Sequence, residues 1–175
     1  PAVLGRGPLL ATGGSGGKYK GDLVAVVALE DLKLAPRLRL LGLDLGEKTI
    51  GLALSDTLLS IATPMQTLKR GKFAADAAQL DIIISAQGIG GLVVGLPLNM
   101  DGSDGPSAQS ARAFGRNWVN HSALPLIFWD ERLSTAAVTR MMIDEMDINR
   151  KRRDELVDKL AASYILQGVL DGLAH

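Results

Sequence analysis

The chain contains no cysteine and only two histidines, one of them the last of its 175 residues. The first absence excludes disulfides, thiolate zinc sites and a cysteine nucleophile; the scarcity of histidine argues against an imidazole metal site. Any metal here is expected on carboxylates, which selects hard cations such as Mg2+ or Mn2+. Aromatic residues are only 4% of the chain, so the core must be built from Leu, Val, Ile and Ala. Charge of one sign is also lacking: 19 basic residues balance 19 acidic ones. No global basic field announces a nucleic acid, and a polyanion would have to meet a local patch. No apolar run reaches the roughly 18 residues that would cross a bilayer, and the first residues do not read as a signal peptide. A soluble cytoplasmic protein with no membrane partner is expected.

What is present suits one domain. Hydrophobic residues make up 47% of the chain, enough for a packed core. Residues 1–22, which include GGSGG, have linker composition and are expected to be a tag, a linker or a mobile extension. Residues 23–175 form the domain, with 23–35 as either a lead-in strand or a short helix. RLRLLGLDL reads as a buried strand, Gly46-Glu47-Lys48 as a turn and TIGLALSD as the return strand. IATPMQTLKR is a third strand that Pro64 places at an edge or a bulge. KFAADAAQLDIIISAQ has helical spacing and stops at Gly88. GLVVGLP is a short apolar strand, SAQSARAFGRNWVNHS a helix and PLIFWDE another strand. Ser134 can cap a helix over TAAVTRMMIDEM, and RRDELVDKLAASYILQGVLDGL is a long final helix. Three strands followed by alternating helices and strands imply an α/β fold, a mixed sheet with helices on both faces.

Carboxylates stand out at three places. Asp44 interrupts a strand of Leu and Gly, where an uncompensated charge is costly; it either serves a cleft or caps the turn at Gly46. Asp130 and Glu131 directly follow PLIFW, at the strand end where open α/β sheets collect ligands; either could instead start the next helix. Asp158 shares a helix face with Glu155, Asp154, Ala161 and Ala162, and the small alanines would let that face approach the sheet. An ordinary exposed charge is the other reading of it. If they converge, the three could hold two divalent ions for phosphodiester hydrolysis. Basic residues cluster locally at Lys69-Arg70 with Lys72, and at Arg150-Lys151-Arg152-Arg153, where they could bind backbone phosphates or simply be solvated. Arg132 could pair with a carboxylate or touch a phosphate. Ser134 and Thr135 could be caps. The loop GLPLNMDGSDGPS offers the Asn99 amide and backbone N–H groups beside the cleft, with Ser107 as a helix cap in the plainer reading.

LLGLDLGEKTIGLALSD, IATPMQTLKR, GIGGLVVGLPLNMDGSDG, WDERLSTAAV and VDKLAASYILQGVLDG occur in this order over roughly residues 37–173. Together they resemble the YqgF/RuvX family of ribonuclease H-like proteins. The resemblance implies a five-stranded mixed sheet of order 3-2-1-4-5 with helices on both faces. It implies a nuclease, of endo or exo mode, that matures the 5′ end of pre-16S rRNA in ribosome biogenesis. An older proposal for the family is Holliday junction resolution. The family's acidic residues fall on Asp44, Glu131 and Asp158, as ligands of Mg2+ or Mn2+ in a two-metal-ion hydrolase. Related resolvases carry the second acid on the preceding strand; here GLVVGLP has none, so Glu131 must supply it from the next. Lys48, Asn99, Arg132, Thr135, Lys69, Arg70, Arg150, Lys151, Arg152 and Arg153 are the candidates for nucleic-acid contact. The expected partner is structured RNA or branched DNA, met by a monomer or a homodimer. A non-catalytic RNA- or ribosome-binding factor is the alternative from another class. Reading DLGEKTIG as an actin-like phosphate loop would need two such domains, and the chain is too short for them.

Overall fold

The computed structural model describes residues 26–133 and 149–175; the side chains of Asp154, Glu155 and Asp158 lie outside that description. So do the expected extension over 1–22, the expected cap Ser134, and the expected helix over 135–146, which includes Thr135. The strands are β1 (Arg39–Leu45), β2 (Thr49–Ser55), β3 (Ala62–Lys69), β4 (Ile89–Leu96) and β5 (Leu126–Asp130). The helices are α1 (Phe73–Gln87), α2 (Pro106–His121) and α3 (Arg150–Leu173), with 3-10 turns at Leu29–Asp31 and Glu131–Leu133.

The five strands form one sheet in the order β3-β2-β1-β4-β5. β1 and β2 are antiparallel, as are β2 and β3, while β1, β4 and β5 run parallel. This is the ribonuclease H-like order that the sequence resemblance implies. Pro64 sits on β3 at the sheet edge, opposite Ala53, where the β2–β3 register shifts. A residue without an N–H is tolerated at such a place. The lead-in segment is neither a full strand nor an α-helix: Val26 makes a single parallel bridge to Leu126 before the 3-10 turn.

Strand alternation splits the core into two layers. Leu41, Leu43, Ile50, Leu52, Leu92 and Val94 face α1 and α2. Leu40, Ala53, Val93 and Ile127 face α3, against Ala162, Ile165, Leu166 and Val169. Burying each such side chain contributes about 1.5–3 kcal/mol before entropy is counted. β4, covered on both faces, is apolar or glycine throughout and wholly buried. On β1, Gly42 lets α3 come close: a Cβ there would stand 2.8 Å from the Leu166 Cβ and 3.0 Å from the Ala162 carbonyl oxygen.

Local signals end the helices. Gly88 takes a left-handed conformation (φ 65°) and its N–H bonds the Ile84 carbonyl. α2 begins at Pro106 with Gly105 as its N-cap, so Ser107 lies inside the helix rather than capping it. α3 starts at Arg150, two residues before the expected RRDELVD start, and Asn149 caps it, accepting the Arg152 N–H at 2.9 Å.

Candidate active site

Asp44 lies on β1 one residue before the strand ends, and only 4% of it is exposed. By alternation it faces α3, like Leu40 and Gly42. Its partner on β2 is Gly51. On the other side, β1 and β4 are paired through Leu43 and Val94, so the next residue along β4 is Gly95. Asp44 is therefore flanked on its own face by two glycines, and neither neighbour places a Cβ beside it.

Glu131 fills part of that space. It follows β5 immediately and is 8% exposed. Its carboxylate lies over Gly95: a Cβ built there would stand 2.5 Å from Glu131 Oε1 and 2.5 Å from Ile165 Cδ1. The sheet thus brings the first acid from β1 and the second from beyond β5 to one face, across a strand that contributes only a glycine between them. Asp158 belongs to α3, one turn before Ala162, whose carbonyl oxygen lies near Gly42. Its side chain lies outside the described residues. Ala161 and Ala162 are buried, as close approach of this helix face requires.

Asp130 has a different job. Leu126 and Phe128 face α1 and α2, and Asp130 follows them by alternation. It is bound to Arg132, with Nη2 2.6 Å from Oδ2. The side-chain hydrogen bond from Arg132 is the main cause that holds the Asp130 carboxyl below the usual aspartate range. The same pairing raises the Arg132 guanidinium above its already high value.

Several of the residues expected to contact nucleic acid also make hydrogen bonds within the protein. Arg70 donates from Nη1 to the Gly46 carbonyl (2.6 Å) and from Nη2 to Ser110 Oγ (2.9 Å), tying the β1–β2 turn to α2. Its backbone N–H bonds the Lys48 carbonyl at 2.8 Å. Asn99 donates from Nδ2 to Ser103 Oγ at 2.9 Å and folds against Gly105. In the same loop Asp101 accepts from the Ser103 N–H and hydroxyl, and Ser103 holds its carboxyl low. By contrast Lys48 and Lys69 are exposed on the β1–β2 turn and the end of β3. Arg150, Lys151 and Arg152 are exposed at the start of α3, and Arg153 is half-buried. An open hollow of about 310 Å3, lined by residues including Arg39, Ser55, Asp56 and Pro64, lies at the other end of β2; none of the candidate residues lines it.

Sequence reasoning missed Gly95, Gly51 and the bracing role of Arg70. Gly95 had a signal: a lone glycine inside an apolar strand marks a close approach. Arg70 had none, because its partners are 24 and 40 residues away.

The family model described as RuvX, Holliday junction resolvase, matches residues 38–172. A protein of Rhodobacter capsulatus named "Putative pre-16S rRNA nuclease" is 60% identical over 136 residues, covering 78% of this chain and 85% of that one. One of the same name from Paramagnetospirillum magneticum is 59% identical over 133 residues, covering 76% and 85%. Among solved structures, Thermus thermophilus RuvC with a Holliday junction substrate aligns with a TM-score of 0.48 at 11% identity, over 78% of this chain and 96% of that one.

Proposed function

The chain belongs to the RuvX family, and we propose that it is a divalent-metal-dependent nuclease that processes the 5′ end of pre-16S rRNA in the cytoplasm. The observation that carries this reading is the placement of two nearly buried carboxylates on one face of the sheet, Asp44 next to Gly95 by register and Glu131 over Gly95. Buried carboxylates are offset by hydrogen-bond donors or cations; Asp44 and Glu131 both have interactions within the protein, and a divalent ion would add to these. The donor set is all oxygen, which fits Mg2+ or Mn2+ and not a thiolate-seeking metal. Gly95, next to Asp44 by the β1–β4 register, leaves the space that the Glu131 carboxylate enters.

Asp44 and Glu131 would hold the metal, with Asp158 on α3 as the third ligand. When bound, such ions polarise the phosphoryl group and acidify a water. The remaining work belongs to the chain. Glu131 accepts the proton of the attacking water. Lys48 and Lys69 on one side, and Arg150, Lys151 and Arg152 on the other, bind flanking phosphates and hold the strand across the site. Arg70, Arg132 and Asn99 also hydrogen-bond within the protein and brace the loops around the site. With few aromatics, the chain reads RNA by shape and backbone rather than by stacking.

Asp44→Asn tests this. It keeps the size of the side chain and removes the charge. Mn2+-dependent cleavage of a precursor rRNA should fall by about 10³-fold or more, the scale of losing an essential catalytic group. The thermal melt should stay cooperative. Undiminished cleavage by the folded variant would remove the site. Running the assay beside a four-way DNA junction separates the two substrates: symmetric junction cuts in preference to rRNA cleavage would make the protein a resolvase instead.

A further inference from the structure

Glu131 is flanked by two residues, Asp130 and Arg132, that pair with each other across it. β5 ends at Asp130, whose partner is Leu96. A strand continued in extended form would carry the next side chain beyond Leu96. Instead the chain enters a single 3-10 turn, and the Glu131 carboxylate falls back over Gly95, the partner of Trp129. Asp130 fixes that turn. Its Oδ1 accepts the Arg132 backbone N–H at 3.0 Å. Its two carboxylate oxygens accept the Arg132 Nε–H at 3.0 and 3.1 Å, and Oδ2 accepts from Nη2 at 2.6 Å. Nη1 of the same guanidinium donates to the Met100 carbonyl at 3.3 Å. The loop bends there through Gly102 (φ 85°), where a Cβ would stand 3.6 Å from Nη1. An ion pair between Asp104 and Arg112 ties the far end of this loop to α2.

We infer that Asp130 and Arg132 form a clasp across Glu131 that sets where its carboxylate stands, so both are positioning residues. The planar fork of the guanidinium is needed because it must meet a carboxylate and a carbonyl together. This rests on the metal-site reading above. It assigns Arg132 to Glu131 and to the loop rather than to a substrate phosphate.

The test is a calorimetric titration of Mn2+ alone into the full chain, paired with steady-state cleavage of precursor rRNA. The variants are Asp130→Ala, Arg132→Ala, their double, Arg132→Lys and Glu131→Gln. Each alanine variant should bind Mn2+ about tenfold more weakly or worse, within the roughly 10–100-fold range for residues that orient ligands. For these variants kcat should fall while KM moves by less than about twofold. The double variant should be no worse than the weaker single one, because either removal opens the same clasp. Arg132→Lys keeps the charge without the fork and should fall between wild type and alanine; it also carries the test if an alanine variant fails to melt cooperatively. A raised KM with unchanged Mn2+ affinity would mean that Arg132 touches phosphate, and the clasp is then wrong. Wild-type Mn2+ affinity in Asp130→Ala, with loss in Glu131→Gln, overturns the clasp alone. Wild-type affinity in Glu131→Gln overturns the metal site itself, and the clasp with it.

Discussion

Replacing Gly95 by alanine separates the needs of the site from those of the fold. The new Cβ would stand 2.5 Å from Glu131 Oε1 and 2.5 Å from Ile165 Cδ1. Both are side-chain ends, so the backbone can stay and the carboxylate and the isoleucine tip must move. Overpacking of this kind costs about 1–3 kcal/mol. Removing a glycine from a strand returns roughly 0.5–1 kcal/mol. The net loss is then about 0–2.5 kcal/mol, and the melting temperature falls by roughly 2–4 °C for each kcal/mol lost. Activity should suffer more. Displacing the second acid from its place beside Asp44 should cost about 10–100-fold in kcat, or roughly 1.4–2.7 kcal/mol of barrier. Gly42→Ala is the opposite case. Its Cβ would meet the Leu166 Cβ at 2.8 Å and the Ala162 carbonyl at 3.0 Å, both too close to the α3 backbone to swing away. That variant should lose about 3 kcal/mol or more in stability, and less activity per folded molecule than Gly95→Ala. Urea titration with Mn2+-dependent cleavage on the same samples measures both. Wild-type kcat in Gly95→Ala, or loss only in step with the unfolded fraction, would refute the placement of Glu131.

Arg70→Met removes the bonds to the Gly46 carbonyl and to Ser110, and should lower stability by about 2 kcal/mol while speeding amide exchange at Gly46–Lys48; an unchanged urea midpoint would contradict the brace. Asp56 gives a pH dependence with a definite sign. Its Oδ1 accepts the backbone N–H groups of Ile61 and Ser60, which hold its carboxyl below the ordinary aspartate range. A depressed folded pKa stabilises fully above the unfolded value, and that contribution is lost as pH falls through the folded one. Asp56→Asn keeps an acceptor but cannot titrate, so its urea midpoint should fall less steeply than wild type between about pH 5 and 2. Equal slopes would dismiss the assignment.

The elements were legible where one stretch of sequence decides them. The apolar runs of β1 and β4, the stop at Gly88 and the edge position of β3 with Pro64 follow from local rules. Asp44 was legible for the same reason, as one charge within an apolar strand. The turn after β5 was not. Periodicity says which face a residue takes and not which residue of a distant strand lies beside it. That Glu131 comes to rest over Gly95 depends on the β4–β5 register, and on a turn whose anchor at Met100 lies 32 residues away. Asp130 and Glu131 looked interchangeable in sequence. Asp130 ends β5 and holds Arg132, while the 3-10 turn that follows carries the Glu131 carboxylate over Gly95.

That division explains how the site can do without an acid on β4. A carboxylate at position 95 would stand directly beside Asp44 on a rigid strand. Here the acid comes from one strand further out, on a turn that must be held, and the strand between must carry no side chain. Gly95 and the Asp130–Arg132 pair are thus two parts of one arrangement: the glycine opens the space and the clasp fills it from β5. Without the clasp, the turn that carries Glu131 would lose its anchors to Asp130 and to the Met100 carbonyl. With a side chain at position 95, the clasp would drive Glu131 into a clash. Neither part accounts for the second acid alone, so changes at Gly95 and at Asp130 should share one energetic effect rather than add.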